Sequence, residues 1–175
     1  MIAPASPWAD LLAERERIDR YYSDVPPLDG VVLRSVRLDR AGPTVVLRLD
    51  LPEFPDRPER EWVAAGCDRL QCQIRFLAAE DVRVMGWPFP VGVDVVIEAV
   101  EPVEHRRVAV TARARSGGAE VVRFVCNASL AVGHFAAYRA ADGDGGPYLH
   151  AGRVDRIRLG TRLPEPTDTV YYERL

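Results

Sequence analysis

The chain has 175 residues, of which 47% are hydrophobic and 28% are charged, and this is the profile of one ordinary globular domain. Its 23 basic and 26 acidic residues give a formal net charge of −3. That balance argues against a dedicated nucleic-acid-binding protein, because such proteins carry a basic stripe.

The amino terminus does not resemble a signal peptide, because Asp10, Glu14 and Glu16 precede any apolar run. No apolar stretch of the sequence approaches the length of a membrane span. The three cysteines are an odd number, so they cannot all pair with one another. We therefore expect a protein of the reducing cytoplasm that does not enter a membrane.

The first predicted element is a helix that follows Ser6, a capping residue, and ends before Pro26 and Pro27. Its apolar residues recur at helical spacing on one stripe, namely Trp8, Leu11, Leu12, Ile18 and Tyr22. Arg17 and Arg20 fall on the opposite, polar face together with two glutamates. The helix is expected to cover the open face or one end of the sheet that follows.

From residue 31 onward the hydrophobic period changes from 3.6 to 2, which indicates β-strands. The predicted strands are 31–38, 45–51, 70–76, 82–84, 93–97, 108–114, 122–126 and 130–138. In the first of them, Leu33 and Val36 cannot share one face unless the strand contains a bulge. Because no helices separate the strands, we expect antiparallel pairing in a sandwich or half-barrel of seven to eight strands. The predicted fold class is mainly β with one amino-terminal helix (α+β).

The predicted domain organisation divides at residue 139. Residues 1–139 are expected to form the antiparallel-β domain with its helix, and residues 140–175 a glycine-rich loop and a carboxy-terminal extension. Within the extension, four apolar residues can add an edge strand, namely Val154, Ile157, Leu159 and Leu163.

The cysteines and histidines do not indicate a metal or cofactor site. Cys67 and Cys72 are spaced too far apart for the usual close pair of zinc ligands, and no second Cys/His pair follows. Cys72 and Cys126 share the apolar parity of their strands, where a thiol packs as a small hydrophobic group. We therefore predict no metal, no cofactor and no catalytic residues. A hydrolase that uses Cys126 or Cys67 with His134 is kept as the second alternative.

Aromatic residues in predicted turns are candidate anchors for a protein partner. Trp87 and Phe89 lie in a proline-rich turn, and Trp62 follows an acidic run. The candidate steering charges are the four acidic residues of that run, namely Glu53, Asp56, Glu59 and Glu61. For Trp62 and Trp87 a structural alternative stays open, in which the indole closes one end of the sheet.

Several runs of aromatic, proline and strand-core residues occur in the order that is typical of one known family. They are Trp8…Leu11-Leu12 through Tyr22…Val25-Pro26-Pro27-Leu28, Pro43-Thr44-Val45-Val46-Leu47-Arg48-Leu49-Asp50-Leu51-Pro52, Phe54-Pro55-Asp56-Arg57-Pro58…Trp62, Leu70-Gln71-Cys72-Gln73-Ile74-Arg75-Phe76, Gly86-Trp87 and Ala131-Val132-Gly133-His134. Over about residues 6–139 the chain resembles the immunity protein 50 family of bacterial polymorphic toxin systems. All 23 basic residues are arginine, which fits a bacterium with a high-GC genome.

The resemblance implies a non-enzymatic antidote that binds a toxin made by the same or a sister cell and blocks its active site or substrate path. The implied partner is the cognate toxin domain, without nucleic acid or membrane, and the resemblance assigns no contact residues. One different class of function stays open as the first alternative. It is a small-ligand-binding β domain with an apolar cavity lined by Phe76, Ile97 and Phe124.

Overall fold

The computed structural model describes residues 7–39, 42–86, 88–143 and 145–164. In these residues nine strands form one sheet in the order β4-β7-β6-β5-β1-β2-β3-β8-β9, and every pairing in it is antiparallel. The strands are β1 (Val31–Asp39), β2 (Thr44–Asp50), β3 (Arg69–Phe76), β4 (Glu80–Val84), β5 (Val91–Val100), β6 (Arg107–Ala114), β7 (Glu120–Asn127), β8 (Leu130–Tyr138) and β9 (Leu149–His150). The predicted fold class is confirmed, and the two-residue β9 raises the strand number above the expected seven to eight.

The helices are short. They are α1 (Glu16–Asp19), α2 (Arg60–Ala64) and α3 (Arg153–Leu159), with single 3₁₀ turns at Ala9–Leu11, Val103–His105 and Ala140–Asp142. The prediction of one continuous amino-terminal helix is wrong, because Leu12 is extended and forms a parallel bridge with Leu130 of β8. The amide of Ala13 then donates to the Leu130 carbonyl at 2.9 Å. The proposed cap, Ser6, lies outside the described residues.

The bulge predicted in the first strand is confirmed. The register between β1 and β2 shifts between Leu33 and Ser35, so that Leu33 lies opposite Leu49 and Val36 lies opposite Leu47. The extra residue moves Val36 onto the core face, which its sequence parity alone did not allow.

The sheet curls until the inner faces of its two halves meet. Four strands lie between β3 and β7 in the sheet order. The ring centroids of Phe76 in β3 and Phe124 in β7 are nevertheless only 5.0 Å apart. Both rings are fully buried and meet edge to face, an arrangement that aromatic pairs favour. The amide of Asn127 also donates to the Leu77 carbonyl at 3.0 Å, which joins the two halves along the backbone.

Two glycines form the hairpin turn between β6 and β7. Gly117 and Gly118 have φ values of +88° and +72°, a conformation that side chains bearing a Cβ rarely adopt. The amide of Gly118 donates to the Ala114 carbonyl at 2.9 Å and closes the turn.

A buried polar cluster lies on the outer face of β1, β2, β3 and β8. Both oxygens of Asp50 accept from the Arg34 guanidinium, at distances from 2.6 to 3.2 Å. Gln71 Nε2 donates to Asp50 Oδ1 at 2.9 Å, and the Tyr138 hydroxyl donates to Oδ2 at 2.6 Å. The Arg34 and Asp50 side chains are only 10% and 4% exposed, so this ion pair is removed from water.

The C-terminal segment, residues 145–164, covers that outer face. Tyr148 packs on Tyr138 with ring centroids 5.2 Å apart, Leu163 joins the same apolar cluster, and Arg48 donates to the Pro164 carbonyl at 3.2 Å. The edge strand predicted from Val154, Ile157, Leu159 and Leu163 is wrong, because α3 occupies most of that stretch and β9 supplies the edge strand instead. The predicted division of the chain at residue 139 stays a prediction.

The opposite end of the sheet is β4, which is short and irregular. Its register against β7 shifts between Glu80 and Arg83, and Asp81 adopts a left-handed conformation with φ of +53°. Glu80, Asp81 and Arg83 are all exposed.

Candidate functional site

The acidic run spans the connection between β2 and α2 and the first turn of α2, and most of its side chains have partners within the chain. Asp56 accepts from the Ser23 amide at 2.9 Å and from its hydroxyl, and these bonds lower the pKa of Asp56. Glu59 accepts from the Tyr21 hydroxyl at 3.3 Å, and Glu61 lies 3.6 Å from Arg156. These three carboxylates therefore stabilise the conformation of this segment through contacts with other parts of the chain.

Glu53 is the remaining acid of the run. Its carboxylate is exposed, and its backbone carbonyl accepts from the Tyr22 hydroxyl at 2.7 Å. Nothing in these contacts tests whether the four acids steer a partner, and that role stays a prediction.

Trp62 has the structural role that the sequence left open. Its side chain is completely buried, it stacks on Tyr21 at 5.1 Å, and its Nε1 donates to the Leu149 carbonyl at 3.1 Å. The indole therefore closes the core beneath α2 and β9 and is not exposed to a partner.

The end of β4 and the connection from β4 to β5 carry exposed apolar side chains. Phe89 is 38% exposed, and Val84 and Met85 are 43% and 44% exposed. Trp87, the second predicted anchor, lies outside the described residues. Met85 extends the candidate surface, because a flexible thioether side chain suits an adaptable interface.

The thiol and imidazole required by the hydrolase alternative are not joined within the described residues. Cys126 is fully buried in β7, and burial raises the pKa of its thiol to about 12. Burial also raises the pKa of Cys67. No hydrogen bond links either thiol to His134 in the described part of the chain, and His134 lies instead 2.7 Å from Asp155.

The ligand-cavity alternative requires open space beside Phe76 and Phe124. Those two rings contact each other and are fully buried, while Ile97 on β5 is partly buried against the same core. Side chains therefore occupy the position where that alternative places a ligand.

A cleft does form elsewhere, at the outer edge of β8. The register between β3 and β8 shifts between Gln71 and Gln73, which creates a bulge in which His134 adopts φ of +53°. The bulge directs the His134 side chain toward α3, where Nδ1 lies 2.7 Å from Asp155 Oδ2. The two side chains are only 9% and 13% exposed.

This β8-edge cleft has a volume of about 270 Å³ and is lined by three separate segments of the chain. Its lining residues are Arg17, Arg20, Tyr21, Gly133, His134, Phe135, Ala151, Gly152, Arg153 and Asp155. The rings of Tyr21 and Phe135 lie 5.1 Å apart and are buried, so they give the cleft an apolar floor. The sequence did not identify this site.

One signal in the sequence indicates the bulge. Leu130 and Val132 face the core with even parity, whereas Phe135 and Ala137 face it with odd parity, the same conflict that revealed the β1 bulge. No local pattern predicts Asp155, because its contact with His134 joins residues that are 21 positions apart.

The family model described as immunity protein 50 matches residues 14–127, which is more than half of the chain. The chain belongs to the immunity protein 50 family. The match begins just before α1 and ends with β7, so β8, β9 and α3 lie beyond it. Arg17, Arg20 and Tyr21 of the cleft therefore lie within the matched part, whereas its other lining residues lie outside.

Neither the curated proteins nor the solved structures contain a significant match to this member of the immunity protein 50 family. No helix in the described ranges is long and apolar enough to cross a membrane. Within the same ranges, no three His, Cys, Asp or Glu side chains are grouped as metal ligands would be.

Proposed function

We propose that this protein is an immunity protein that binds a cognate bacterial toxin and neutralises it by blocking the toxin's active site or substrate path. The single observation that carries the proposal is membership of the immunity protein 50 family over residues 14–127. In this proposal the protein acts without catalysis, in the cytoplasm of a bacterium whose polymorphic toxin system encodes the toxin.

The fold supports this role because the curled sheet is a compact support for surface side chains. Neutralising a toxin at trace concentration requires a binding free energy of about −12 kcal/mol, which corresponds to a Kd of about 1 nM. An interface of about 800 Å² per partner reaches this value when it contains a few desolvated anchors. Phe89 and Met85 are exposed apolar residues of the required kind.

The proposed contact surface contains Phe89 and Trp87 as anchors, with steering charge from Glu53, Asp56, Glu59 and Glu61. Phe89 is exposed. Glu59 and Glu61 each keep at least a third of their side-chain surface exposed, and Asp56 lies at the surface, although all three have partners within the chain. An acidic loop of this kind speeds association with a basic toxin cleft through long-range attraction.

Co-expression tests the proposal directly. Where the neighbouring gene encodes a large secreted protein with a carboxy-terminal toxin module, that module is produced in cells with and without this chain. We expect growth to be rescued and the two proteins to copurify as a complex. Cells that die equally in both cases, with no complex formed, contradict the proposed function.

Charge reversal tests the acidic contact surface separately. A variant with Glu53, Asp56, Glu59 and Glu61 each changed to Arg is expected to associate more slowly with the toxin, by about tenfold or more at low salt. Unchanged association of a folded variant removes the acidic run from the contact surface without affecting the proposal that the toxin is bound.

A further inference from the structure

The β8-edge cleft interrupts an otherwise covered strand edge. Leu12 bridges to Leu130 at the beginning of β8, and β9 pairs with Ala136 and Ala137 near its end. Between these two contacts the edge faces the cleft at Gly133 and His134. The cleft is therefore built by the backbone path of three separate segments and does not depend on a single mobile side chain.

Backbone strain accompanies the cleft. A histidine with φ of +53° occupies the left-handed region, which is costly for residues other than glycine and is maintained only where the surroundings impose it. Asp155, itself largely buried, holds the ring on the side of the cleft through its contact with Nδ1. Strained residues of this kind concentrate at binding sites.

Arginines are the most numerous charged residues of the cleft lining. It contains three arginines, Arg17, Arg20 and Arg153, and one carboxylate, Asp155, which faces His134. Arg17 lies 2.5 Å from Glu14, and Arg20 lies 3.7 Å from Glu59 and over the Tyr21 ring. Arg153 is exposed and forms no ion pair within the described residues.

The floor and the rim differ in chemistry. Tyr21 and Phe135 form an apolar floor, whereas Arg20 and Arg153 supply exposed charged groups to the lining. A ligand that fits both has a short aliphatic stem and an anionic head. Arginine binds a carboxylate through two parallel hydrogen bonds, which makes an acidic side chain the best match.

We propose that the β8-edge cleft is a carboxylate-binding socket that receives an acidic side chain of the toxin. The identity of this occupant rests on the proposed function, whereas the carboxylate chemistry rests on the cleft alone. Arg20 and Arg153 bind the carboxylate, and Tyr21 and Phe135 contact its aliphatic stem. The socket adjoins the acidic run at Glu59, which lies 3.7 Å from Arg20, and adds arginine side chains beside it.

The first arm of the test needs no toxin. Isotope-labelled protein is titrated with N-acetylglutamate, and with N-acetylglutamine as the neutral analogue, while backbone amide NMR signals are recorded. We expect saturable shifts at Gly133, His134 and Ala151 with the carboxylate only, and at least a tenfold weaker response in the Arg20→Glu, Arg153→Glu double variant. Equal shifts with both compounds, or none in the cleft, overturn the proposal.

The second arm measures toxin affinity. The same double variant is expected to bind the toxin about 100-fold more weakly than the unmodified protein. The matched control is Arg113→Glu, Arg123→Glu, which changes the net charge equally on β6 and β7 and is expected to bind as the unmodified protein does. All variants are checked for an unchanged thermal midpoint, which the exposure of these arginines leads us to expect.

The outcomes separate the two proposals. Toxin binding that survives the cleft substitutions overturns the socket as a toxin contact, while the proposed function stands. Failure of the unmodified protein to bind the toxin, combined with a carboxylate response in the cleft, overturns the proposed function and leaves the carboxylate site intact.

Discussion

The two halves of the sheet differ in what covers their outer faces. In β2, β3 and β8 most outward residues are buried, and Gln71, Gln73 and Tyr138 are at most 4% exposed. In β5, β6 and β7 the outward positions face solvent, with Val96 at 43% exposure and Arg113 and Arg123 exposed. We name these the covered half and the open half.

The difference shows how one sheet serves two roles. The covered half carries a buried ion pair that requires the C-terminal segment to exclude water, and its cover creates the cleft at β8. The open half is stabilised by its inner face alone, so its outer surface tolerates exchange of residues. We therefore expect substitutions of similar chemistry to have much larger effects on the covered half.

The largest expected effect follows the loss of an aromatic side chain. Trp62→Ala removes a fully buried indole and its hydrogen bond to Leu149, and is expected to lower the free energy of unfolding by about 4 kcal/mol. Phe89→Ala, beside the open half, is the matched control and is expected to cost less than about 1 kcal/mol. Chemical denaturation measures both values, and similar losses contradict the assignment of Trp62 to the core.

The buried ion pair is expected to have the next largest effect. Asp50→Asn preserves the shape of the side chain but leaves the Arg34 guanidinium buried without its counterion, which is expected to cost about 3 kcal/mol. Glu98→Ala removes an exposed carboxylate from the open half and is expected to change stability by less than about 0.5 kcal/mol. An Asp50→Asn variant as stable as the unmodified protein would show that the covered half is hydrated.

A smaller effect is expected for one hydroxyl group. Tyr138→Phe deletes the donor to Asp50 at 2.6 Å and is expected to cost about 1.5 kcal/mol, because the acceptor is charged and buried. Thr111→Val makes the corresponding deletion on the open half, where we expect a change within about 0.5 kcal/mol. Thermal unfolding of both variants at neutral pH measures the shift in the unfolding midpoint for each half of the sheet. Equal shifts would contradict the difference between the covered half and the open half.

The smallest expected effect is a dependence of stability on pH. Burial lowers the pKa of His150, whose Nε2 lies 2.8 Å from the Arg162 carbonyl under the C-terminal segment. The folded state therefore binds a proton less readily than the unfolded state, and stability is expected to decrease as the pH falls below about 6.5, the ordinary histidine value. His150→Gln is expected to flatten the dependence between pH 7 and 5.5. If stability depends on pH to the same extent in that variant, groups other than His150 cause the dependence.

Strand parity predicted the fold well because the core-facing positions of each long strand carry apolar side chains. The parity conflict between Leu33 and Val36 even located a bulge. The extension was predicted less well, because Ile157 is 74% exposed and Asp155 is buried in α3, so hydrophobicity there does not mark the inner side. In the cleft, Arg17 and Arg20 were correctly placed on a polar face, but their approach to α3 depends on tertiary contacts that no local pattern encodes.

The irregular β4 has a consequence for the protein at high concentration. A regular strand at the end of a sheet offers a template onto which a neighbouring molecule adds its own strand, and repeated addition leads to fibres. The left-handed Asp81 and the shifted register break that template, and pairing here would also bury the charges of Glu80 and Arg83. This end of the sheet is therefore protected against polymerisation even when many copies of the chain accumulate.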